Sequence, residues 1–303
     1  MNAIMSRVSV GGWLRLAVLA LGLAFGATPG TAQRAPAPFV VALKPDKDPD
    51  AMLAERQGLA AMLTAELQRP VQVIVPLSGA VIVEGLANGT IDVAYVSATD
   101  MLNARRSGAA TLLLAGEIEG RTWYRSYWVA LADKPYASVT DLRGLPIAFA
   151  SRTSTSGYVI PLHDLHRRGL MATGGSPEDF FGREHVGFGS GYVSAVERVL
   201  RGEAEAAAVS DYVLDQDKHL TAEQRARLKK VAEQGPVPTH VLAAGRRVSD
   251  ADRDRLRQAL LSLNRPEHDA LRQRAFVSRL VEVDETEHLQ PLVEALALVL
   301  STR

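Results

Sequence analysis

The sequence predicts an α/β fold of two lobes, and three observations carry that prediction. Short apolar runs with strand character alternate with stretches of helical spacing along most of the chain, the pattern of layered α/β domains with largely parallel sheets. The chain has 303 residues, and the part after a leader at its start exceeds the roughly 250 residues that one hydrophobic core serves. A helix-rich tail follows two α/β blocks, which suits a chain that returns to complete its first lobe.

The elements follow in order. FVVAL at 39–43 reads as a strand, and the PDKDPD run after it as a loop and helix start. Met52, Leu53, Leu59, Met62, Leu63 and Leu67 recur near helical spacing and predict a helix over 51–67. VQVIV at 71–75 is a strand, 81–87 a short helix stopped by Asn88-Gly89, and IDVAYV at 91–96 a strand. Further strands are predicted at 111–114, 123–131 and 146–150, with SVTDLRG between the last two as a helical turn. A helix after Gly157 runs to Arg168 with Gly169 as its stop, followed by a strand at 186–189, a helix at 193–201 and a strand at 204–209. Thr221 and Gln224 form a capping box, so TAEQRARLKK reads as a helix. A strand at 240–244 then precedes helices over 249–264, 267–280 and from 285 onward. The expected division is a first lobe of 39–133 with 238–303 and an inserted lobe of 134–237, joined by two crossings that leave a cleft.

Residues 1–32 have the form of a secretory signal peptide. Arg7 and Arg15 are their only charges, the apolar run 16–24 is too short to span a membrane, and a small-residue segment places cleavage near Ala32. Residues 33–38 read as a Pro/Ala linker. With no cysteine in the chain, disulfides, thiolate chemistry and a lipidated cysteine are excluded. Without the leader, 32 basic residues stand against 34 acidic ones, so charge gives no reason to expect nucleic acid or a membrane surface as partner.

The densest polar motif is ASRTSTSGYVIP at 150–161, where Ser151, Thr153, Ser154, Thr155 and Ser156 crowd against Gly157 at a strand-to-helix junction. One reading is a helix cap with spare hydroxyls. The other is an anion cradle: a helix start offers unpaired N–H groups and a partial positive charge, Gly157 lets backbone approach a ligand, and Pro161 makes the first turn irregular.

STSGYVIP, with YRSYWVAL, DLRGLPIAFA and IDVAYV, resembles the phosphate/phosphite/phosphonate-type periplasmic substrate-binding proteins of ABC importers. VALKPDKDP, VEGLANGTIDVAYV and VERVLRGEAEAAAVSD extend the resemblance over most of the chain. It implies the type II periplasmic-binding-protein fold, each lobe a mixed, mostly parallel sheet flanked by helices, closing over a small oxyanion. The family's Ser-Thr-Ser-Gly motif falls on Ser154, Thr155, Ser156 and Gly157, which it implies are anion ligands. It also implies a hydrogen-bonding aromatic at Tyr95 on the other lobe. At Asp211 it implies an acceptor for an amino group or a protonated oxygen. Two departures stand out. The family's tyrosine before the VEGLANG helix aligns with Ser78-Gly79-Ala80, and its histidine is missing from GFGSGYVSAV, where Tyr192 or Ser190 takes the space near Gly191.

Arg125, in the aromatic stretch YRSYW, either packs at the hinge or faces the cleft as a bidentate grip on an oxyanion. His163 and His166 share a helix face without further metal ligands and read as solvated. PDKDPD lacks the glycine and final glutamate of a calcium loop. No G-x-S-x-G elbow, HExxH or P-loop occurs. The expected protein is therefore not an enzyme and needs no cofactor or metal. It is an exported, monomeric solute-binding component of an ABC importer that captures a phosphonate, phosphite or phosphate and delivers it to an inner-membrane permease. The alternatives are an exported ligand sensor signalling to a membrane partner and a secreted serine hydrolase.

Overall fold

The computed structural model describes residues 37–45, 52–216, 219–276 and 279–299, so the signal peptide expected at 1–32 lies outside the described residues. The strands are numbered in chain order: β1 (Phe39–Ala42), β2 (Val71–Ile74), β3 (Val93–Val96), β4 (Ala110–Glu117), β5 (Trp123–Leu131), β6 (Ile147–Phe149), β7 (Val186–Phe188), β8 (Ala206–Ser210), β9 (Leu228–Pro238), β10 (Val241–Gly245) and β11 (Arg279–Val281). They form two sheets, in the orders β11-β4-β10-β3-β1-β2 and β7-β6-β8-β5-β9.

Each sheet has a parallel core and antiparallel returns. β1 runs parallel to β2 and β3, and β6 runs parallel to β7 and β8. β10 is antiparallel to β3 and β4, and β5 is antiparallel to β8 and β9. The sheets are thus more mixed than the strand–helix alternation alone suggests, because returning chain ends close both of them. β5, which the sequence reading groups with residues 39–133, hydrogen-bonds within the second sheet.

Helices flank both sheets. In the first lobe these are α1 (Leu53–Leu67), α2 (Gly79–Asn88), α3 (Ala98–Arg106) and later α9 (Asp250–Leu261), α10 (Asp269–Phe276) and α11 (Glu285–Val299). The second lobe carries α4 (Ile160–Arg167), α5 (Pro177–Phe181), α6 (Tyr192–Leu200), α7 (Asp211–Asp215) and α8 (Ala222–Ala226). α1 turns Leu59, Met62, Leu63 and Leu67 inward, and α2 ends at Gly89 with φ 78°, the left-handed stop expected there. The core of the second lobe gathers Trp128, Phe149 and Phe181, all fully buried.

The helix expected over 221–230 is a correction. Its capping box forms, with Gln224 N donating to Thr221 Oγ1 at 3.1 Å, but α8 stops at Ala226 and buries no residue. The chain instead enters β9, where Leu228, Val231, Gln234 and Val237 turn inward and the backbone ladders onto β5. An apolar face that a helix here could not bury is buried by pairing, and that outweighs local helix propensity.

Two chain crossings join the sheets, and Thr239 stitches them. Its hydroxyl donates to the carbonyls of Gly116 (2.6 Å) and Thr122 (3.0 Å), while Gly116 N donates to the carbonyl of His240 at 2.9 Å. α11 reaches from the first lobe to pack on α4 and β9 of the second. Among the described residues no helix is long and apolar enough to cross a membrane.

Candidate functional site

In open α/β sheets ligands bind beyond the carboxyl ends of the parallel strands, where the following helices begin. Here those ends face one another across the two lobes. The chain leaves β1 at Lys44-Pro45, reaches α2 through Leu77-Ser78, and leaves β3 at Ser97, the cap of α3. In the second lobe β6 ends in Ala150–Ser154 and β7 in Gly189–Gly191, ahead of α6. These segments enclose a cavity of about 290 Å³. A larger cavity of about 550 Å³ shares Arg152 and Thr153 with it; its walls include the starts of α3 at Thr99 and of α5 at Ser176, together with Glu178 and the apolar Leu162, Leu296 and Val299.

Each helix start is built by a short polar cap. Ser78 Oγ accepts from Val81 N at 3.3 Å, and Ser97 Oγ accepts from Asp100 N at 3.1 Å. At the 150–161 motif the first turn over Thr155–Val159 is a π-turn. Val159 N donates to the carbonyl of Ser154 at 3.0 Å and Ile160 N to that of Thr155, the irregular opening expected from Pro161. Gly157 is demanded by packing: a Cβ there would lie 2.5 Å from the Ala150 Cβ and 3.1 Å from the carbonyl oxygen of Ala208.

The hydroxyls of Ser154, Thr155 and Ser156 all have protein partners. Ser154 Oγ accepts from Gly157 N at 3.0 Å, so it caps its own turn. Thr155 Oγ1 accepts from Thr99 N at 3.1 Å and lies 2.9 Å from Thr99 Oγ1, a hydroxyl pair that joins the second lobe to α3 of the first. Ser156 Oγ is the hub of a buried cluster, 2.8 Å from the Tyr192 hydroxyl, 3.1 Å from Ser210 Oγ and 3.1 Å from the Tyr124 hydroxyl, which donates to it. Ser154 also lines the cavity, whereas Thr155 and Ser156 lie behind the wall.

The other expected residues spread more widely. Tyr192 lines the cavity, its ring 4.9 Å from Lys44 Nζ. Tyr95 is buried in the first-lobe core, where its hydroxyl donates to the Phe276 carbonyl at 3.0 Å and its ring meets Phe276 edge-on; burial pushes its phenol pKa up. Asp211 starts α7 and accepts from Arg125 N at 2.8 Å and Tyr212 N at 2.7 Å; burial nevertheless pushes its carboxyl up. The Arg125 guanidinium stacks 5.0 Å from the Trp123 ring. Tyr95, Asp211 and Arg125 are not among the described residues lining the cavity.

The cavity brings in residues that the sequence reading did not single out: Lys44, Ser97, Asp100 and Arg152. The signal for two of them was present, since Ser97-x-x-Asp100 is the capping pattern that opens a helix. Asp100 is 5% exposed, and Ser97 Oγ donates to its Oδ2 at 2.7 Å. Burial pushes its carboxyl up, partly offset by Ser97, the nearby Thr153 and the Lys44 charge. Asp100 also explains the departure at Gly79, because a Cβ at 79 would lie 2.5 Å from Asp100 Oδ2. At the second departure, Ser194 Oγ accepts from Ser190 N (2.8 Å) and Gly191 N (3.2 Å), folding the loop tightly ahead of α6.

The family model for the phosphonate periplasmic substrate-binding protein of ABC transporters matches residues 41–288. The chain belongs to this family. It is 26% identical over 189 residues to the phosphate-import protein PhnD of Mycolicibacterium smegmatis, a match that covers 61% of this chain and 59% of that protein. In fold it is similar to PhnD1 of Prochlorococcus marinus (MIT 9301), solved in complex with methylphosphonate, at TM-score 0.74 and 16% identity over 86% of this chain and 97% of that one. It is also similar to a binding-protein component of an ABC phosphonate transporter from Pseudomonas aeruginosa, at TM-score 0.74 and 15% identity over 85% of this chain and 84% of that one. The two-lobe type II architecture is that of these neighbours, and the family is one of transporter binding proteins, not of enzymes.

Proposed function

We propose that this protein is the exported solute-binding component of an ABC importer and captures a small phosphorus oxyanion of the phosphonate, phosphite or phosphate class between its lobes. The observation that carries the reading is the cavity of about 290 Å³ between the lobes. There the starts of α2, α3 and α6 meet Lys44 and Arg152. Each helix start contributes about 0.3–1 kcal/mol to an anion near it, and two cationic side chains add charge-assisted hydrogen bonds. The relatives' roles, phosphate import in one and a methylphosphonate complex in another, support the same class of ligand.

Lys44, Ser154, Tyr192 and Arg152 are proposed as ligand-contacting residues. Thr155, Ser156 and Gly157 hold the cradle's shape and the contact between lobes. Tyr95, Asp211 and Arg125 act through the hinge and core around it. Ligand contacts on both lobes favour the closed form, which a permease of the inner membrane then recognises. The protein acts as a monomer in the periplasm, with no cofactor and no catalysis. A thermal-shift screen tests this: methylphosphonate, phosphite or phosphate raises the melting temperature, as binding to the native state requires. No shift with any phosphorus oxyanion would remove the reading.

A further inference from the structure

The cavity between the lobes is larger than a bare oxyanion needs. Methylphosphonate, at roughly 30 Å³ for each of its non-hydrogen atoms, fills about half of the 290 Å³. The wall also changes with depth: Ser97 and Ser154 are buried, whereas Leu77, Ala80, Arg152 and Ser190 are exposed at the mouth. Leu77 is 86% exposed, more than any other large apolar side chain among the described residues. β1 and β2 run parallel with Ala42 opposite Ile74, so Pro45 and Leu77, each three residues further on, leave the sheet side by side. Ala80 follows in the first turn of α2. A lone exposed leucine on a surface means little, but one that joins a proline and an alanine at the mouth of a ligand cavity forms an apolar lip. The same cavity has no acidic partner for an ammonium group. Asp100 is the one carboxylate in its wall among the described residues, and Ser97 and Thr153 already hydrogen-bond it. Asp211 lies outside the wall, its oxygens engaged by Arg125 N and Tyr212 N, while Lys44 and Arg152 repel a further positive charge.

We propose that the site is shaped for a phosphonate or phosphate monoester carrying an uncharged organic substituent of about three to five carbons. The phosphorus head lies at the buried end, and the substituent is covered at the mouth by Leu77, Pro45 and Ala80. The inference rests on the proposed function and names the class of substrate within it. Inorganic phosphate and phosphite leave the lip bare, so Leu77 stays in water when they bind. An alkyl chain buries against it, which is worth about fourfold in affinity for each methylene fully removed from water. A charged substituent of the same size loses its hydration at the lip and finds no counter-charge there.

Isothermal titration of the purified protein with inorganic phosphate, methyl-, propyl- and pentylphosphonate and 2-aminoethylphosphonate tests this. Propylphosphonate binds roughly tenfold more tightly than methylphosphonate, and pentylphosphonate more tightly again. Propylphosphonate also outbinds 2-aminoethylphosphonate, which matches it in non-hydrogen atoms but carries an ammonium group, by roughly tenfold or more. In Leu77→Ser the propyl-to-methyl ratio falls to about threefold or less, while methylphosphonate affinity stays within about twofold of the parent. Position 77 is exposed, so the variant keeps the parent's urea midpoint and the change is read on a folded protein. A propyl-to-methyl ratio of about threefold or less in the unmodified protein, equal binding of propyl- and 2-aminoethylphosphonate, or a ratio unchanged by Leu77→Ser overturns the proposal and leaves the proposed function standing. Failure of every phosphorus compound to bind the unmodified protein overturns both.

Discussion

Thr155→Val removes one hydroxyl and keeps the branched shape, so it isolates the hydrogen bonds that join the lobes. In the structure that oxygen accepts from Thr99 N at 3.1 Å and pairs with Thr99 Oγ1 at 2.9 Å, with both residues at most 3% exposed. Thr99 lies in the first turn of α3, where an N–H has no intrahelical acceptor, so the variant leaves a buried donor unpaired. That costs about 1–3 kcal/mol. Water satisfies both groups once the lobes separate, so the loss falls on the closed form and lowers the closed-to-open ratio by about 5- to 150-fold. The chain has no cysteine, so Ala65→Cys and Thr173→Cys, both at exposed positions in different lobes, give a uniquely labelled pair for single-molecule energy transfer. The expected result is a shifted population of the long-distance state in the variant and its recovery with saturating ligand. A ratio within twofold of the parent would refute the assignment of this pair as a contact that opposes opening.

Gly157→Ala should lower stability by about 1–3 kcal/mol through overpacking against Ala150 and the Ala208 carbonyl, read as a lower urea midpoint at unchanged slope. Tyr95→Phe should cost about 0.5–1.5 kcal/mol through the lost bond to the Phe276 carbonyl and leave ligand affinity within about twofold; a tenfold loss of affinity would put the hydroxyl in the site instead. His288, whose ring nitrogen Nε2 lies 3.1 Å from the Thr239 carbonyl oxygen, is held below the usual imidazole value by burial. Its stabilising contribution is therefore present above the unfolded value of about 6.5 and is lost as the pH falls towards the folded one. The melting-temperature advantage of the parent over His288→Gln should narrow between neutral pH and about pH 5.5, and a gap that does not narrow removes this group from the acid response.

The strands and the longer helices were legible because their signals are local. Gly89 and Gly169 stop helices through a left-handed φ, the Thr221 cap forms as written, and the apolar runs of β3, β6 and β8 are buried on both faces. β9 was not legible, since LKKVAEQ suits a helix until β5 is there to pair with it. α3 was missed for a related reason: after a strong strand signal, ATDMLNARR offers only a short apolar stripe, and its helical state rests on the Ser97 cap and on burial of Met101 and Leu102. The 150–161 motif was legible as a polar helix start. Its partners were not, because Thr99, Tyr192 and Ser210 are brought to it by the fold from three distant segments.

Both readings of that motif describe part of the geometry, and together they bear on where binding energy can come from. Ser154 caps, Thr155 bridges the lobes and Ser156 anchors three hydroxyls, so with the lobes together these groups already have protein partners. A ligand gains little from donors whose bonds exist without it; only contacts absent from the open form can shift the lobes' equilibrium. On the proposed function, the differential contacts fall to the helix starts, Lys44 and Arg152. The hydroxyl cradle then sets how easily the lobes meet, and the cavity wall sets which anion holds them together. Substitutions in the two sets should separate accordingly. Thr155→Val weakens all ligands by one common factor, because it changes the closing equilibrium that every ligand shares, whereas substitutions at Lys44 or Arg152 in the cavity wall change their ranking. A change of ranking in Thr155→Val would place its hydroxyl on the ligand and collapse that division.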